Sequence, residues 1–155
     1  MKILKILAPL VAVLLVVFVF LAPIGPLPGV LIGGTKAEIP DNWGETSDIH
    51  EIRLEVPGPL PRVVIIWVVQ WKGDLHVVGY KESGWVSKLG NGGPVRMRMG
   101  DRTFSLTATT LVTGWEPVMD AYLDKYRSDY PEIVDGFPSK EEAAGAFSVF
   151  RLSAR

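Results

Sequence analysis

The stretch Pro94-Val95-Arg96-Met97-Arg98-Met99-Gly100-Asp101-Arg102-Thr103-Phe104-Ser105-Leu106 decides the fold. Two alternating runs flank Gly100-Asp101, and a Gly-first two-residue loop suits a primed hairpin turn. That register sets Met97 opposite Phe104 and Val95 opposite Leu106 on one apolar face. Arg96 and Arg98 then face outward beside Ser105 and Thr103. A slip of one residue would exchange the two faces along the whole hairpin.

Working upstream, Lys81 to Gly93 interrupts the strand pattern. Ser83 is placed to cap a short helical turn carrying Trp85, Val86 and Leu89, which Gly90-Asn91-Gly92-Gly93 ends. Leu75 to Tyr80 reads as a strand reached through the turn Lys72-Gly73-Asp74. Arg62 to Trp71 (RVVIIWVVQW) is β-branched and aromatic, apolar on both faces, and reads as a strand covered on both sides. Its stripe Val63, Ile65, Trp67, Val69 and Trp71 suits core first, with a dimer seam or a membrane-facing patch as the other readings. Glu51 to Val56 alternates and is separated from it by Pro57-Gly58-Pro59-Leu60-Pro61.

Downstream, Thr113-x-x-Glu116 has capping-box spacing and predicts a helix from Thr113 to the break at Pro131. Trp115, Val118, Met119, Tyr122, Leu123 and Tyr126 form its buried stripe. Ser139-x-x-Glu142 predicts a second short helix over Lys140 to Ala144, and Ala146 to Leu152 alternates as a closing strand. About six antiparallel strands with a helix before the last give an α+β chain whose sheet closes into a small barrel.

The amino end differs in kind. Ile6 to Ala22 contains no charged residue and as a helix would reach roughly 26 Å, close to the hydrocarbon thickness of a bilayer. A cleaved signal peptide is one reading, but cleavage after Ala22 would put Phe20 in a small-residue slot and Pro23 just past the cut. A retained single-pass transmembrane helix is preferred. Lys2 and Lys5 precede it and the next charge is Lys36, which places the N-terminus inside and the soluble domain on the periplasmic or extracellular side of the cytoplasmic membrane. The expected organisation is an anchor over 1–24, a Pro/Gly-rich apolar collar and linker over 25–48, and the barrel domain over 49–155. The collar PIGPLPGVLIGG (23–34) would lie either at the bilayer surface or over the domain's own underside.

Composition removes several functions. With 16 Lys+Arg against 17 Asp+Glu the chain has no basic surplus for nucleic acid. It has no cysteine, and only His50 and His76 are available as imidazole ligands, so no metal partner is expected.

The order of segments resembles the split β-barrel superfamily, the pyridoxamine-phosphate-oxidase-like fold, and within it the deazaflavin-dependent nitroreductase family. Gly84-Trp85-Val86-Ser87-Lys88-Leu89 followed by Pro94 to Phe104 carries the resemblance, with Tyr122, Tyr126, Tyr130 and Pro131 fitting loosely. The resemblance implies a six-stranded split barrel and a cofactor site at Lys81, Ser83, Trp85, Lys88, Tyr122 and Tyr126. The two lysines would meet an anion, Trp85 would stack on a flat ring, and the tyrosines would line the pocket or donate protons. The alternative for the first four is a surface loop pinned by one buried Trp; for the tyrosines it is helix packing. Against the family pattern, Glu82 stands where a phosphate would sit, paired glycines are missing before Trp85, and Lys88 replaces an Asn. Arg96, Arg98 and Arg102 near the hairpin end could grip an anion or form a solvated face.

The expectation is therefore a membrane-anchored, extracytoplasmic split-barrel protein acting as a non-catalytic accessory or interaction subunit of a membrane complex, with no cofactor. Its partners would be the lipid bilayer and an integral membrane protein or a second copy. Two alternatives stay open. One is a flavin- or deazaflavin-dependent oxidoreductase near the membrane; the other is a carrier of lipid or hydrophobic small molecules.

Overall fold

The structure is a computed structural model and describes residues 7, 9–11, 13–15 and 21–154. The apolar span expected over 6–22 lies largely outside the described residues; among them no helix is long and apolar enough to cross a membrane.

Strands β2 (Glu51–Val56), β3 (Arg62–Trp71), β4 (Asp74–Tyr80), β5 (Gly92–Met99), β6 (Arg102–Thr110) and β7 (Phe147–Ser153) form one sheet. Neighbours run β5-β2-β3-β4-β7, and β6 pairs with both β5 and β7, so the sheet closes into an antiparallel six-stranded barrel. The hairpin register is the one its alternation dictates: Met97 pairs with Phe104, Val95 with Leu106, and Met99 with Arg102 around Gly100 at φ 60°. Val95, Met97, Phe104 and Leu106 are buried. At the β3–β4 turn, Trp71 pairs with Asp74, and Lys72 and Gly73 both take positive φ, as a type I′ loop requires.

Four helices complete the domain: α1 (Gly84–Leu89), α2 (Glu116–Arg127), α3 (Pro131–Asp135) and α4 (Lys140–Ala146). α1 plugs one end of the barrel with Trp85, Val86 and Leu89, which join Leu54, Val77, Phe104 and Phe150 in the interior. A second core lies outside the barrel wall. There Val118, Met119, Tyr122 and Tyr126 of α2 meet Val69, Val78, Phe147 and Val149. Trp67, Val69 and Trp71 of the β3 stripe belong to this outer layer, where Trp67 stacks on Tyr126 with ring centroids 4.1 Å apart. These three residues are part of a core, as the composition favours, but not of the barrel interior.

Two helix starts differ in outcome. Ser139 and Glu142 form the expected capping box of α4. The box expected at Thr113 does not form; α2 begins at Glu116 after Trp115, with no side-chain cap. Gly114, at φ 69°, turns the chain there, and Trp115 packs against the outer core instead. Pro117 in the first turn needs no N–H partner.

The segment before β2 lies along the barrel. Gly29 exchanges two backbone hydrogen bonds of 2.8 Å with Val63. Ile32 is buried. A two-residue strand β1 (Thr35–Lys36) then runs parallel to the start of β6. Trp43 ends this path edge-on to Phe104.

Candidate functional site

α1 positions the residues that the family resemblance singles out. It forms because Trp85, Val86 and Leu89 fall on one buried face and Gly90, at φ 62°, ends it. Trp85 points into the barrel, 5.6 Å from the Phe150 ring. It can do so because residue 79 is glycine: a Cβ there would stand 2.2 Å from Trp85 Cζ2. The indole is 6% exposed and is taken up by the barrel interior.

The polar members of the group make bonds within the fold. Lys81 Nζ donates to the Ala144 carbonyl at 2.7 Å, near the C-terminal end of α4, where an ammonium complements unpaired carbonyls. Ser83 Oγ donates to the Tyr80 carbonyl at 2.7 Å, so Ser83 occupies the N-cap position without capping. Lys88 Nζ reaches the other way, donating to the Leu60 carbonyl at 2.9 Å.

Tyr122 and Tyr126 lie in the outer core, away from Trp85. The Tyr126 hydroxyl accepts from the Val68 N–H at 3.0 Å and lies 2.6 Å from the His50 carbonyl. Burial raises both phenol pKa values well above the usual range. Both hydroxyls keep their protons, and that of Tyr126 holds α2 to β3. The six residues are thus spread over the fold rather than gathered in one place.

The arginines also diverge. Arg96 forms a bidentate pair with Glu55, whose carboxylate is 4% exposed, and that hydrogen bonding raises the Arg96 pKa. Arg98 donates to the Gly100 carbonyl at 3.0 Å and to the Ile32 carbonyl at 3.2 Å. Arg102 lies over the Phe104 ring. His76 is buried with Nδ1 3.2 Å from the Asp74 carbonyl; burial lowers its pKa, which hydrogen bonding to Asp74 partly opposes. Among the described residues no cluster of His, Cys, Asp or Glu could hold a metal ion.

Three features escape sequence reasoning. Lys125 projects from α2 and donates to the carbonyls of Thr46, Ile49 and Val68, at 2.9, 2.8 and 2.9 Å. Burial lowers its pKa, against the pull of Glu45 and Asp48. It borders a cleft of about 600 Å³ that also includes His50, Trp71 and Asp129. A second cleft, of about 450 Å³, lies between α1, the end of β6, α4 and β7. The third feature is the collar's outer side. While Gly29 and Ile32 fasten it to the barrel, Ile24, Leu27 and Leu31 stay at least half exposed, as does Leu60 in the β2–β3 turn. The apolar letters of 23–34 were legible; the split between a fastened side and an open one was not.

No family model matches the chain, and no curated protein matches it. The chain is a split-barrel protein by its closed six-stranded architecture. Among solved structures it is similar to HutZ, the heme storage protein of Vibrio cholerae, at 17% identity and a TM-score of 0.52, covering 70% of this chain and 84% of that one. It is also similar to a NimC/NimA family protein of Clostridium acetobutylicum, at 16% identity and a TM-score of 0.46, covering 66% and 71%. At such identity the HutZ likeness shows the fold alone.

Proposed function

We propose that this split barrel is a membrane-anchored, non-catalytic interaction module on the outer side of the cytoplasmic membrane, serving as an accessory subunit of a membrane protein complex. One observation carries the reading. The collar is bonded to the barrel at Gly29 and Ile32, yet Ile24, Leu27 and Leu31 stay exposed, as does Leu60 in the β2–β3 turn. An apolar surface of this kind needs a cover. It directly follows the uncharged stretch Ile6–Ala22, so the bilayer surface and a membrane-embedded partner are the covers within reach. The charge pattern Lys2, Lys5, then Lys36 supports the orientation.

The nitroreductase-like alternative requires Trp85 to face a ring and the lysines to face a phosphate. In the fold Trp85 meets Phe150, and Lys81 and Lys88 hold the separate carbonyls of Ala144 and Leu60. That arrangement favours the non-catalytic reading.

The test is native mass spectrometry of the full chain extracted in mild detergent, beside the double variant Leu27→Asp/Leu60→Asp. The expected result is a companion membrane protein with the parent chain and its loss in the variant. A parent chain that migrates only as an isolated monomer overturns the accessory role.

A further inference from the structure

The turn between β2 and β3 carries an apolar tip with two cations beside it. Pro57, Pro59 and Leu60 are exposed, Leu60 at 69%. Lys88 Nζ donates to the Leu60 carbonyl at 2.9 Å, which fixes the ammonium against the turn. Arg62 leaves the turn at the start of β3, and its guanidinium lies on α1: a Cβ at Gly84 would stand 2.9 Å from Arg62 Cζ. Gly84 and Lys88 are four residues apart on one face of α1, so the two cations flank a single strip of the helix beside the turn.

Both charges lack a counter-charge. Among the described residues no carboxylate pairs with Arg62 or Lys88, although Glu82 is close in sequence. The Arg62 Nε is buried without a hydrogen-bond partner, and its terminal nitrogens, also unpaired, reach the surface. Buried donors are ordinarily paired, and a charged one left alone is costly, so this guanidinium calls for an acceptor from outside the chain. Two unpaired cations behind an apolar tip match the layering of a bilayer surface, with anionic oxygens at headgroup level and hydrocarbon below. The place in the chain agrees. Gly29 is bonded to Val63, the neighbour of Arg62, so the collar that follows the uncharged stretch Ile6–Ala22 joins the barrel at this same end of β3.

We propose that this end of the domain binds an anionic phospholipid, with the headgroup phosphate between Arg62 and Lys88 and Leu60 at the acyl boundary. The proposal rests on the membrane-anchored reading and names the lipid class that such a domain would select.

The experiment is native mass spectrometry of the full chain, stripped of lipid in mild detergent and titrated with dioleoyl phosphatidylglycerol or dioleoyl phosphatidylcholine. The expected result is one phosphatidylglycerol per chain, preferred over phosphatidylcholine about tenfold, the scale of charge-assisted bonds to a headgroup. Arg62→Gln/Lys88→Gln should abolish the preference, and Arg62→Lys/Lys88→Arg should keep it. Gly84→Ala retains both charges but displaces the guanidinium, so it should lower the preference, which a general attraction to negative charge would not. Lys88→Glu, at an exposed helix position, should also remove it, whatever Arg62→Gln does to folding. Equal affinity for the two lipids in the parent chain overturns the proposal, as does a preference that survives Lys88→Glu. Displacement of phosphatidylglycerol by an equal concentration of inorganic phosphate would make this a site for free anions and overturns the lipid assignment. Anchoring is read separately, by co-flotation of the full chain with phosphatidylcholine vesicles. A chain that floats but shows no lipid preference fails this proposal alone; one that does not float fails the anchored reading and this proposal with it.

Discussion

Replacing Gly79 by Ala tests how the barrel is closed at its α1 end. The new methyl would stand 2.2 Å from Trp85 Cζ2 and 2.8 Å from Val86 Cγ2. Neither neighbour has room to retreat, because Trp85 is 6% exposed and Val86 4% exposed. The strand cannot retreat either, since β4 is bonded to β7 on one side, with Gly79 paired to Ser148, and to β3 on the other. Overpacking of this kind costs roughly 1–3 kcal/mol, and a contact this short belongs at the upper end. Reduced freedom of the unfolded chain returns about 0.5–1 kcal/mol. The net expected loss is about 2 kcal/mol, or a fall in Tm on the order of 8 °C for a domain of this size. The assay is chemical and thermal unfolding of the full chain in mild detergent, followed by tryptophan fluorescence. Trp85→Leu removes the ring that collides, so the double variant Gly79→Ala/Trp85→Leu should be more stable than additivity allows, by about 2 kcal/mol. A Gly79→Ala protein within about 0.5 kcal/mol of its parent, or strict additivity in the cycle, refutes the account of the plug.

Three further outcomes follow from particular contacts. Tyr126→Phe should lower stability by about 1–2 kcal/mol in urea unfolding, since it strips a hydrogen bond from the Val68 N–H and releases the His50 carbonyl; no measurable change would mean that the helix is held by ring packing alone. Arg96→Ala should cost about 3 kcal/mol, because it leaves the Glu55 carboxylate buried without its partner; Arg96→Lys should recover part of this, and a neutral Arg96→Ala would refute the pair's role. Burial holds the folded His76 pKa below its ordinary 6.5, so on acidification the unfolded chain takes up that proton first. Stability is therefore full above pH 6.5 and declines as pH falls toward the folded value. His76→Gln should flatten that slope between pH 7 and 5 in denaturant midpoints, and an unchanged slope would assign the pH dependence to other groups.

What the sequence revealed was local. The hairpin over 95–106 could be paired residue by residue because strict alternation, a Gly-Asp loop and two large apolar pairs agree on one register. The outer stripe of α2 was legible for the same reason, since Tyr122 and Tyr126 recur at helical spacing. The α2 start misled because Thr113 and Glu116 have the spacing of a box, and no local rule says that Gly114 will turn the chain between them. Contacts between distant segments were invisible. Nothing in the neighbourhood of Glu55 names Arg96, and nothing around Lys125 names the three carbonyls that it gathers. The candidate site shares this limit. Lys81 and Trp85 stand four residues apart, yet one faces α4 and the other the barrel interior.

The docking of the chain before β2 has a mechanical consequence. Gly29 is bonded to Val63, near the start of β3, and β1 lies beside Arg102 and Thr103 at the start of β6. Tension applied from the amino end meets these attachments in series. The bonds of Leu21 to Val30 and Leu31 and the Ile24–Leu27 pair would open first, then the two Gly29 bonds, then those of Thr35 and Ala37. A pull on this segment would thus be taken up by short-range bonds that can open one after another while the strand pairings of the barrel stay closed.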